Sequence, residues 1–239
     1  MPFIAHKMVN LYLLGVTKMY DPTLDDFIAM LTSDNAGERR NAAWMLGRQR
    51  DPLPVPALIK ALNDPDHDVK VRVIETLGNL RDERAIMPLI SALGDDSVEI
   101  RAQVIKALGQ HKDFRALPSI IPFLGDSSPE MRAAAAQALA ELPDQTALQP
   151  LLGVFLGDEQ QVVRYLARQA LLKIGGEALL NAMLMVIGGE HPPQVTIEIL
   201  ETLAGLHDKR AVPAIEPLIA HEDEFVAETA HWALRMLNR

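Results

Sequence analysis

Histidine is the residue in this chain best suited to metal binding and to acid–base chemistry near neutral pH, because the 239-residue sequence contains no cysteine. A metal site needs three or four converging ligands, commonly spaced i, i+4 along a helix. The histidines are scattered, and the only His-Glu dipeptide is His221-Glu222. The pattern predicts no metal site, no cofactor and no catalytic residue, and it favours a non-catalytic protein over an enzyme. The histidines are His6, His67, His111, His191, His207, His221 and His231.

Two glycine pairs are the next candidates for chemistry, because glycine-rich loops can bind phosphate groups. Gly175-Gly176 and Gly188-Gly189 lack the strand-turn-helix context and the Lys-Ser/Thr that a phosphate-binding loop requires. A Gly-x-Ser-x-Gly nucleophile elbow is absent from the sequence. We interpret both glycine pairs as turns.

Recognition is the chemistry that the remaining pattern favours. A leucine recurs every 31 or 32 residues from Leu46 to Leu234, and the position two residues before it is mostly polar. Such a position faces away from the apolar stripe of a helix. Exposed aromatic anchors beside adaptable polar side chains are typical of protein-binding surfaces. The occupants of this position are Trp44, Glu75, Lys106, Gln137, Gln169, Glu201 and Trp232.

Two neighbouring positions, five and six residues before the same leucines, also face away from the apolar side, and the three positions together are called the outward stripe. In the middle of the chain these two positions hold Ala102, Ala133 and Ala134, and beyond it they hold Tyr165, Leu166 and Ile197. Both tryptophans lie in terminal repeats, so Trp44 could instead pack on an N-terminal helix and Trp232 on the C-terminal turn. The predicted partner-binding residues are Trp44, Arg72, Glu75, Gln103, Lys106, Gln137, Tyr165, Leu166, Gln169, Glu198, Glu201 and Trp232.

The elements that must position these residues are pairs of short amphipathic helices. In residues 82–112 the second segment spaces its apolar residues i, i+4, i+7 and i+8 from Ile100 to Leu108, which is the pattern of a helix that buries one face. Repeats begin every 30 to 33 residues, an interval typical of a helical solenoid. Hydrophobic residues make up 49% of the chain and aromatics only 5%, which favours an all-α fold. The repeats begin at Asp21, Asp51, Asp82, Asp113, Asp144, Gly175 and Asp208.

A polar pair recurs at an offset of six residues, between the turn inside each repeat and the second helix. We expect these side chains to form a ladder in which each cation reaches a turn carboxylate of its own or of the next repeat. In the first repeat the offset selects Arg40, whereas alignment on Leu46-Gly47 selects Arg39. The position is Thr196 and Ala227 in the last two repeats, so we expect the ladder to be interrupted there. The ladder pairs are Asp64 with Lys70, Asp95 with Arg101, Asp126 with Arg132, and Asp158 with Arg164.

The segment DERAIMPLISALGDDSVEIRAQVIKALG, residues 82–109, resembles the short HEAT-like repeats of the phycobilisome-lyase type. The resemblance covers residues 21–174 closely and residues 175–239 loosely. It implies a right-handed α-α superhelix of about seven two-helix repeats, in which the second helices line a concave ligand-binding face. We therefore expect a protein- or peptide-binding scaffold. The resemblance also leaves open a bilin lyase-type or chromophore-handling subunit.

We predict a single solenoid over residues 1–239, with regular repeats in 21–174 and less regular repeats in 175–239. In residues 1–20, Ile4, Met8, Leu11, Gly15 and Met19 fall on one helical face, which predicts a capping helix. The segment lacks the small-residue cleavage site of a signal peptide, and the absence of cysteine fits a reducing compartment, so we expect a cytoplasmic protein. A net charge of -9 argues against nucleic acid and anionic membranes as partners.

Overall fold

A computed structural model describes residues 22–238 of the chain, and within that range it contains helices and no β-strand. The predicted capping helix in residues 1–20 lies outside the described residues. The helices alternate as first and second members of successive repeats, which confirms the all-α, α-α superhelix class. Contacts divide the chain into two compact units, residues 1–120 and 121–239, called unit 1 and unit 2 below. The single solenoid over residues 1–239 stays a prediction.

Unit 1 contains the first three repeats and the start of the fourth. Its first helices are short, and its second helices have 14 residues each. Two 3-10 turns, Glu83–Ala85 and Phe114–Ala116, precede the first helices of repeats three and four. The helices are α1 Leu24–Met30, α2 Ala36–Gln49, α3 Val55–Ala61, α4 His67–Leu80, α5 Ile86–Ala92, α6 Val98–His111 and α7 Leu117–Ile120.

Unit 2 begins with the 3-10 turn Ile121–Gly125 and contains repeats five to seven in full. Further 3-10 turns are Gln145–Ala147, Lys209–Ala211 and Glu216–Ala220. The helices are α8 Pro129–Glu141, α9 Leu148–Gly157, α10 Gln161–Ile174, α11 Gly176–Val186, α12 Pro193–Gly205, α13 Val212–Ile215 and α14 Glu224–Leu237.

Polar caps fix where many of these elements begin. The side chains of Asn35, Asp66 and Ser97 accept backbone N–H groups at the starts of α2, α4 and α6, which satisfies donors that have no partner inside the helix. Asp82 and Asp113, the first residues of their repeats, cap the 3-10 turns in the same way. These two predicted repeat starts are therefore capping positions.

In unit 1 the second helices pack on one another in order, α2 on α4 and α4 on α6. Glycine allows this close approach: a Cβ on Gly47 would lie 3.1 Å from the side chain of Thr76, and one on Gly78 would lie 3.0 Å from the Cα of Ala107. Thr76 Oγ1 donates to the carbonyl of Ala43 at 2.9 Å, so a hydrogen bond also joins α2 to α4.

In unit 2 the helix pairs α8/α10 and α12/α14 pack closely, but the backbones of α10 and α12 approach each other less closely. Arg168 on α10 lies three residues before the recurring leucine of its repeat. In unit 1 the same position holds buried apolar residues, Ala43, Ile74 and Ile105. The guanidinium group of Arg168 donates to Thr202 and Glu201 of α12. The side chain of Arg168 thus fills a position between α10 and α12 where unit 1 has smaller apolar side chains. The division into regular repeats in 21–174 and less regular repeats in 175–239 stays a prediction.

The ladder is present in unit 1, and it selects Arg39 over Arg40. Arg39 donates to Asp64, in the turn of the next repeat, at 2.7 and 2.8 Å, and to the carbonyl oxygen of Ser33, in its own turn, at 2.8 Å. Lys70 likewise pairs with Asp95 of the next turn. The cation therefore reaches a backbone oxygen of its own turn and a carboxylate of the following one, whereas Arg40 lies outside the ladder.

In unit 2 one arginine makes both ladder contacts, to a carbonyl oxygen of its own turn and to a carboxylate of the next turn, whereas the following arginine makes only the first. Arg132 donates to Asp158 at 2.6 and 3.0 Å and to the carbonyl oxygen of Asp126 at 2.9 Å. Arg164 donates to the carbonyl oxygen of Asp158 at 3.0 Å, but the carboxylate facing it belongs to Glu198 of α12, 4.0 Å away. A helix residue thus takes the place of the turn carboxylate at this rung.

Candidate partner-binding surface

The stripe of unit 1 begins at Trp44 on α2, whose side chain is 42% exposed. The guanidinium carbon of Arg48, one helical turn later, lies 4.9 Å from the centroid of the Trp44 ring. This distance is within the range of a cation–π contact. The described residues therefore leave Trp44 accessible, with one face held by an arginine.

The stripes of α4 and α6 in unit 1 are polar. Arg72 and Glu75 form an ion pair at 2.7 Å along α4. Glu75 also borders a small depression of about 160 Å³ with Gln103 and Lys106 of α6. Three of the predicted site residues are thus brought together across two helices, as the shared register requires.

In unit 2 the stripe of α10 is apolar. Tyr165 is 57% exposed, and Leu166 and Gln169 are half-buried beside it. Val162, also exposed, precedes Leu166 by four residues and Gln169 by seven, so it lies on the same face. The sequence interpretation missed Val162, although its spacing from Leu166 could have identified it.

The stripe of α14 carries the second tryptophan of the chain. Trp232 is 39% exposed and borders an open depression of about 630 Å³ with Thr229, Glu228 and Arg235. Phe225, seven residues before Trp232, is exposed on the same face and was missed for the same reason as Val162. The last repeat of unit 2 therefore presents two aromatic side chains in one register.

Two predicted site residues on α12 are engaged inside unit 2. Glu198 is only 9% exposed and faces Arg164, as described above. Glu201 is half-buried and accepts a hydrogen bond from Arg168 at 2.8 Å. The prediction that Glu198 faces outward is wrong. Because α10 and α12 lie farther apart than the other neighbouring second helices of unit 2, this side chain lies between them. Gln137 on α8 is exposed as expected.

The ladder carboxylates are held in their charged form. Burial of Asp64 and Asp158 opposes ionisation and is the largest single influence on each. The hydrogen bonds and positive charge of Arg39 and Arg132, together with a backbone N–H donated to each carboxylate, outweigh burial, so the pKa of each carboxyl lies below its ordinary value. For Asp95 the hydrogen bond from Lys70 is the main cause of the lowered pKa. These groups stabilise the repeat stack and do not line the outward stripe.

Within residues 22–238, no group of three or more His, Asp or Glu side chains is arranged to hold a metal ion. None of the helices in that range is long and apolar enough to cross a lipid bilayer.

Paired helices in repeats, with one face packed and the other carrying side chains to solvent, define an α-helical repeat protein. HEAT repeats match residues 24–100 and 86–172. The chain belongs to the HEAT-repeat family.

Solved structures agree with this fold. The complex of CpcE and CpcF of phycocyanin lyase from Nostoc sp. PCC7120 matches with a TM-score of 0.59 and 21% identity, over 92% of this chain and 96% of that chain. The YibA protein of Escherichia coli matches with a TM-score of 0.53 and 20% identity, over 96% and 97%. A designed armadillo repeat protein in complex with the peptide (KR)4 matches with a TM-score of 0.51 and 21% identity, over 91% and 100%. No curated protein matches this chain in sequence.

Proposed function

We propose that this protein is a non-catalytic scaffold that binds a protein or peptide through the outward stripes of its second helices. One observation carries the proposal: Trp44 in unit 1, and Tyr165 and Trp232 in unit 2, expose large aromatic surfaces at stripe positions. Tryptophan and tyrosine are common among the few residues that contribute most of the binding energy at protein interfaces. The concave face that the resemblance assigns to the second helices would place these stripes on the binding side.

The stripes suit an extended surface more than a deep pocket. Their polar members, among them Arg72, Glu75, Gln103 and Lys106, can adapt their hydrogen bonds to a partner. A globular partner needs about 1,200–2,000 Å² of total buried surface for a stable complex, whereas a peptide can follow a single row of side chains.

Peptide display on the full chain tests the proposal. Peptides that bind the wild type are selected from a random library. Fluorescence anisotropy then measures the affinity of the selected peptides for the wild type, for Tyr165→Ala/Trp232→Ala and for Trp44→Ala. We expect an affinity loss of about 30-fold or more at a binding anchor with little change in melting temperature, because these side chains are exposed.

Met185→Ala is the matched control, since Met185 is an exposed apolar residue of unit 2 on the first helix α11. Its affinity should equal that of the wild type. Equal affinities in all variants would contradict the stripe assignment, and a large fall in melting temperature for Trp44→Ala would place that side chain in the core.

The alternative function is a bilin lyase-type or chromophore-handling subunit. It is supported by the resemblance of the repeats and by one structural neighbour from a phycocyanin lyase. A change in the visible absorption spectrum of a free bilin on mixing with the protein would favour this function. An unchanged bilin spectrum, together with stripe-dependent peptide binding, would favour the scaffold.

A further inference from the structure

The C-terminal ends of α2 and α4 border an open depression of about 760 Å³ in unit 1. Half of its lining residues are arginines, and none is acidic. The arginine cluster is defined as Arg48, Arg50 and Arg81. The remaining lining residues are Gly47, Asn79 and Leu80.

The arginine cluster is not neutralised by nearby acids. Among residues 22–238, no carboxylate forms an ion pair with any of its three guanidinium groups. The two aspartates that follow in sequence are engaged in their own turns: Asp51 accepts the amide of Leu53 at 2.8 Å, and Asp82 pairs with Arg84 at 2.7 Å. The cluster therefore keeps three guanidinium groups available in a chain that is acidic as a whole.

Helix ends explain part of this arrangement, but not all of it. A helix C-terminus carries about half a negative charge and favours a cation in its last turn. The ends of α2 and α4 together offset roughly one of the three positive charges. The cluster is thus more basic than helix stabilisation requires.

The backbone sets the spacing of the cluster. Arg50 and Arg81 end α2 and α4 in the same left-handed conformation, each with φ 53°, so they take equivalent positions on neighbouring helices. Packed helices lie roughly 8–10 Å apart. An extended peptide in the polyproline II conformation advances about 3.1 Å per residue with three residues per turn, so its side chains at every third residue lie on one face, roughly 9 Å apart, and match this separation.

We propose that the arginine cluster binds carboxylate side chains of an extended acidic segment in a partner protein. A guanidinium group matches a carboxylate through two parallel hydrogen bonds, and the exposed Trp44 ring beside Arg48 adds apolar surface at the same edge. A nucleic acid is a poorer match, because its affinity depends on neutralising many phosphates and the net charge is -9. The inference rests on the proposed binding function and names the chemistry of the partner.

The test uses the full chain and a labelled peptide with glutamate at every third position and serine elsewhere. Fluorescence anisotropy should show binding that weakens as salt is raised, since exposed charge pairs are screened, and a peptide with glutamine in place of glutamate should not bind. Arg50→Gln/Arg81→Gln should reduce affinity at least about tenfold, the result of losing about 1.4 kcal/mol. Melting temperature should fall only slightly, because both positions keep a non-glycine residue in the left-handed conformation and lose only the favourable interaction of a cation with a helix C-terminus.

Arg40→Gln is the matched control, because Arg40 is an exposed arginine of α2 that already pairs with Asp68. This variant should bind the acidic peptide like the wild type. The charge-reversed variant Arg50→Glu/Arg81→Glu should bind the same peptide with lysine in place of glutamate. Failure of wild type to bind the acidic peptide, equal loss in Arg40→Gln, or preference for a single-stranded RNA over the peptide would overturn the inference. None of these outcomes affects the peptide-display test of Tyr165 and Trp232, so the two proposals can fail separately.

Discussion

Unit 1 and unit 2 share one packing scheme but present different surfaces. In unit 1 the stripes of α4 and α6 are polar, and an arginine cluster lies at one edge. In unit 2 the stripes of α10 and α14 expose Val162, Tyr165, Phe225 and Trp232. Both units nevertheless contain the same rung, an arginine that bonds a carbonyl of its own turn and a carboxylate of the next turn.

This difference between the units shows which positions of the repeat can vary in residue type. Side chains between helices must fit a neighbour that has the same shape in every repeat, so these positions keep their residue type. Outward positions have no such neighbour and can differ between units. The exception is α10/α12, where Arg168 enters a packing position and both ladder and spacing change.

The largest predicted effect tests whether the ladder stabilises both units equally. Asp158→Ala in unit 2 should lower the free energy of unfolding by about 3–5 kcal/mol, because it leaves the mostly buried Arg132 without its carboxylate. Asp64→Ala in unit 1 should cost a similar amount, since Asp64 holds Arg39 in the same way. Chemical denaturation measures both changes.

The control for the ladder is Asp68→Ala, which breaks the exposed pair with Arg40 and should cost about 0–1 kcal/mol. A ladder variant that costs no more than this control would show that the rungs are surface ion pairs. A cost confined to one of the two rungs would show that the units do not depend equally on the ladder.

An intermediate effect is expected where the units end their second helices differently. Gly175, after α10 in unit 2, has φ 59° and ψ -156°, a conformation that is essentially restricted to glycine. Gly175→Ala should therefore destabilise the protein by about 1–3 kcal/mol. Thermal and chemical unfolding of this variant measure the loss.

The unit 1 counterpart is Arg81→Gly, where φ is 53° and ψ is 33°. Relief of left-handed strain, about 1–2 kcal/mol, is largely offset by the conformational entropy of glycine, about 0.5–1 kcal/mol. We expect a net change of about 0–1.5 kcal/mol in the stabilising direction. Equal destabilisation by both substitutions would contradict the different backbone requirements.

The smallest effect is a dependence of stability on pH. Asp64, Asp95 and Asp158 have lowered pKa values in the folded protein, so their contribution is fully present above the ordinary carboxyl pKa of about 4. It is lost as the pH falls through the lower folded values. Thermal unfolding should therefore show declining stability below about pH 4.

Asp158→Asn removes the unit 2 carboxylate from this titration, so the variant should lose less stability than wild type on acidification. An unchanged acid slope would mean that the pairing with Arg132 does not influence the titration of Asp158.

The fold could be predicted from the sequence because several independent patterns have the same period. The leucine spacing, the amphipathic second helices and the capping aspartates all arise from local propensity and the burial of one helix face. The stripe positions followed from the same register, which is why Trp44, Tyr165 and Trp232 were predicted and are exposed. Whether they bind a partner stays a prediction.

The errors arose where contacts depend on the distance between helices. The sequence offered both Arg39 and Arg40 for the first rung, and only packing of α2 against the turn of repeat two selected Arg39. Glu198 had the register of an outward residue, but the wide α10/α12 pair draws it toward Arg164. Periodicity reports which face of a helix a residue occupies, not how far away the next helix lies.

The sequence by itself determined the repeat, its helices, their caps and the register of the outward stripe, because these depend on residues close together in the chain. Tertiary structure alone decided which carboxylate meets each arginine, and it gathered Arg48, Arg50 and Arg81 around one depression. These pairings join residues about one repeat apart, and the distance between packed helices sets them.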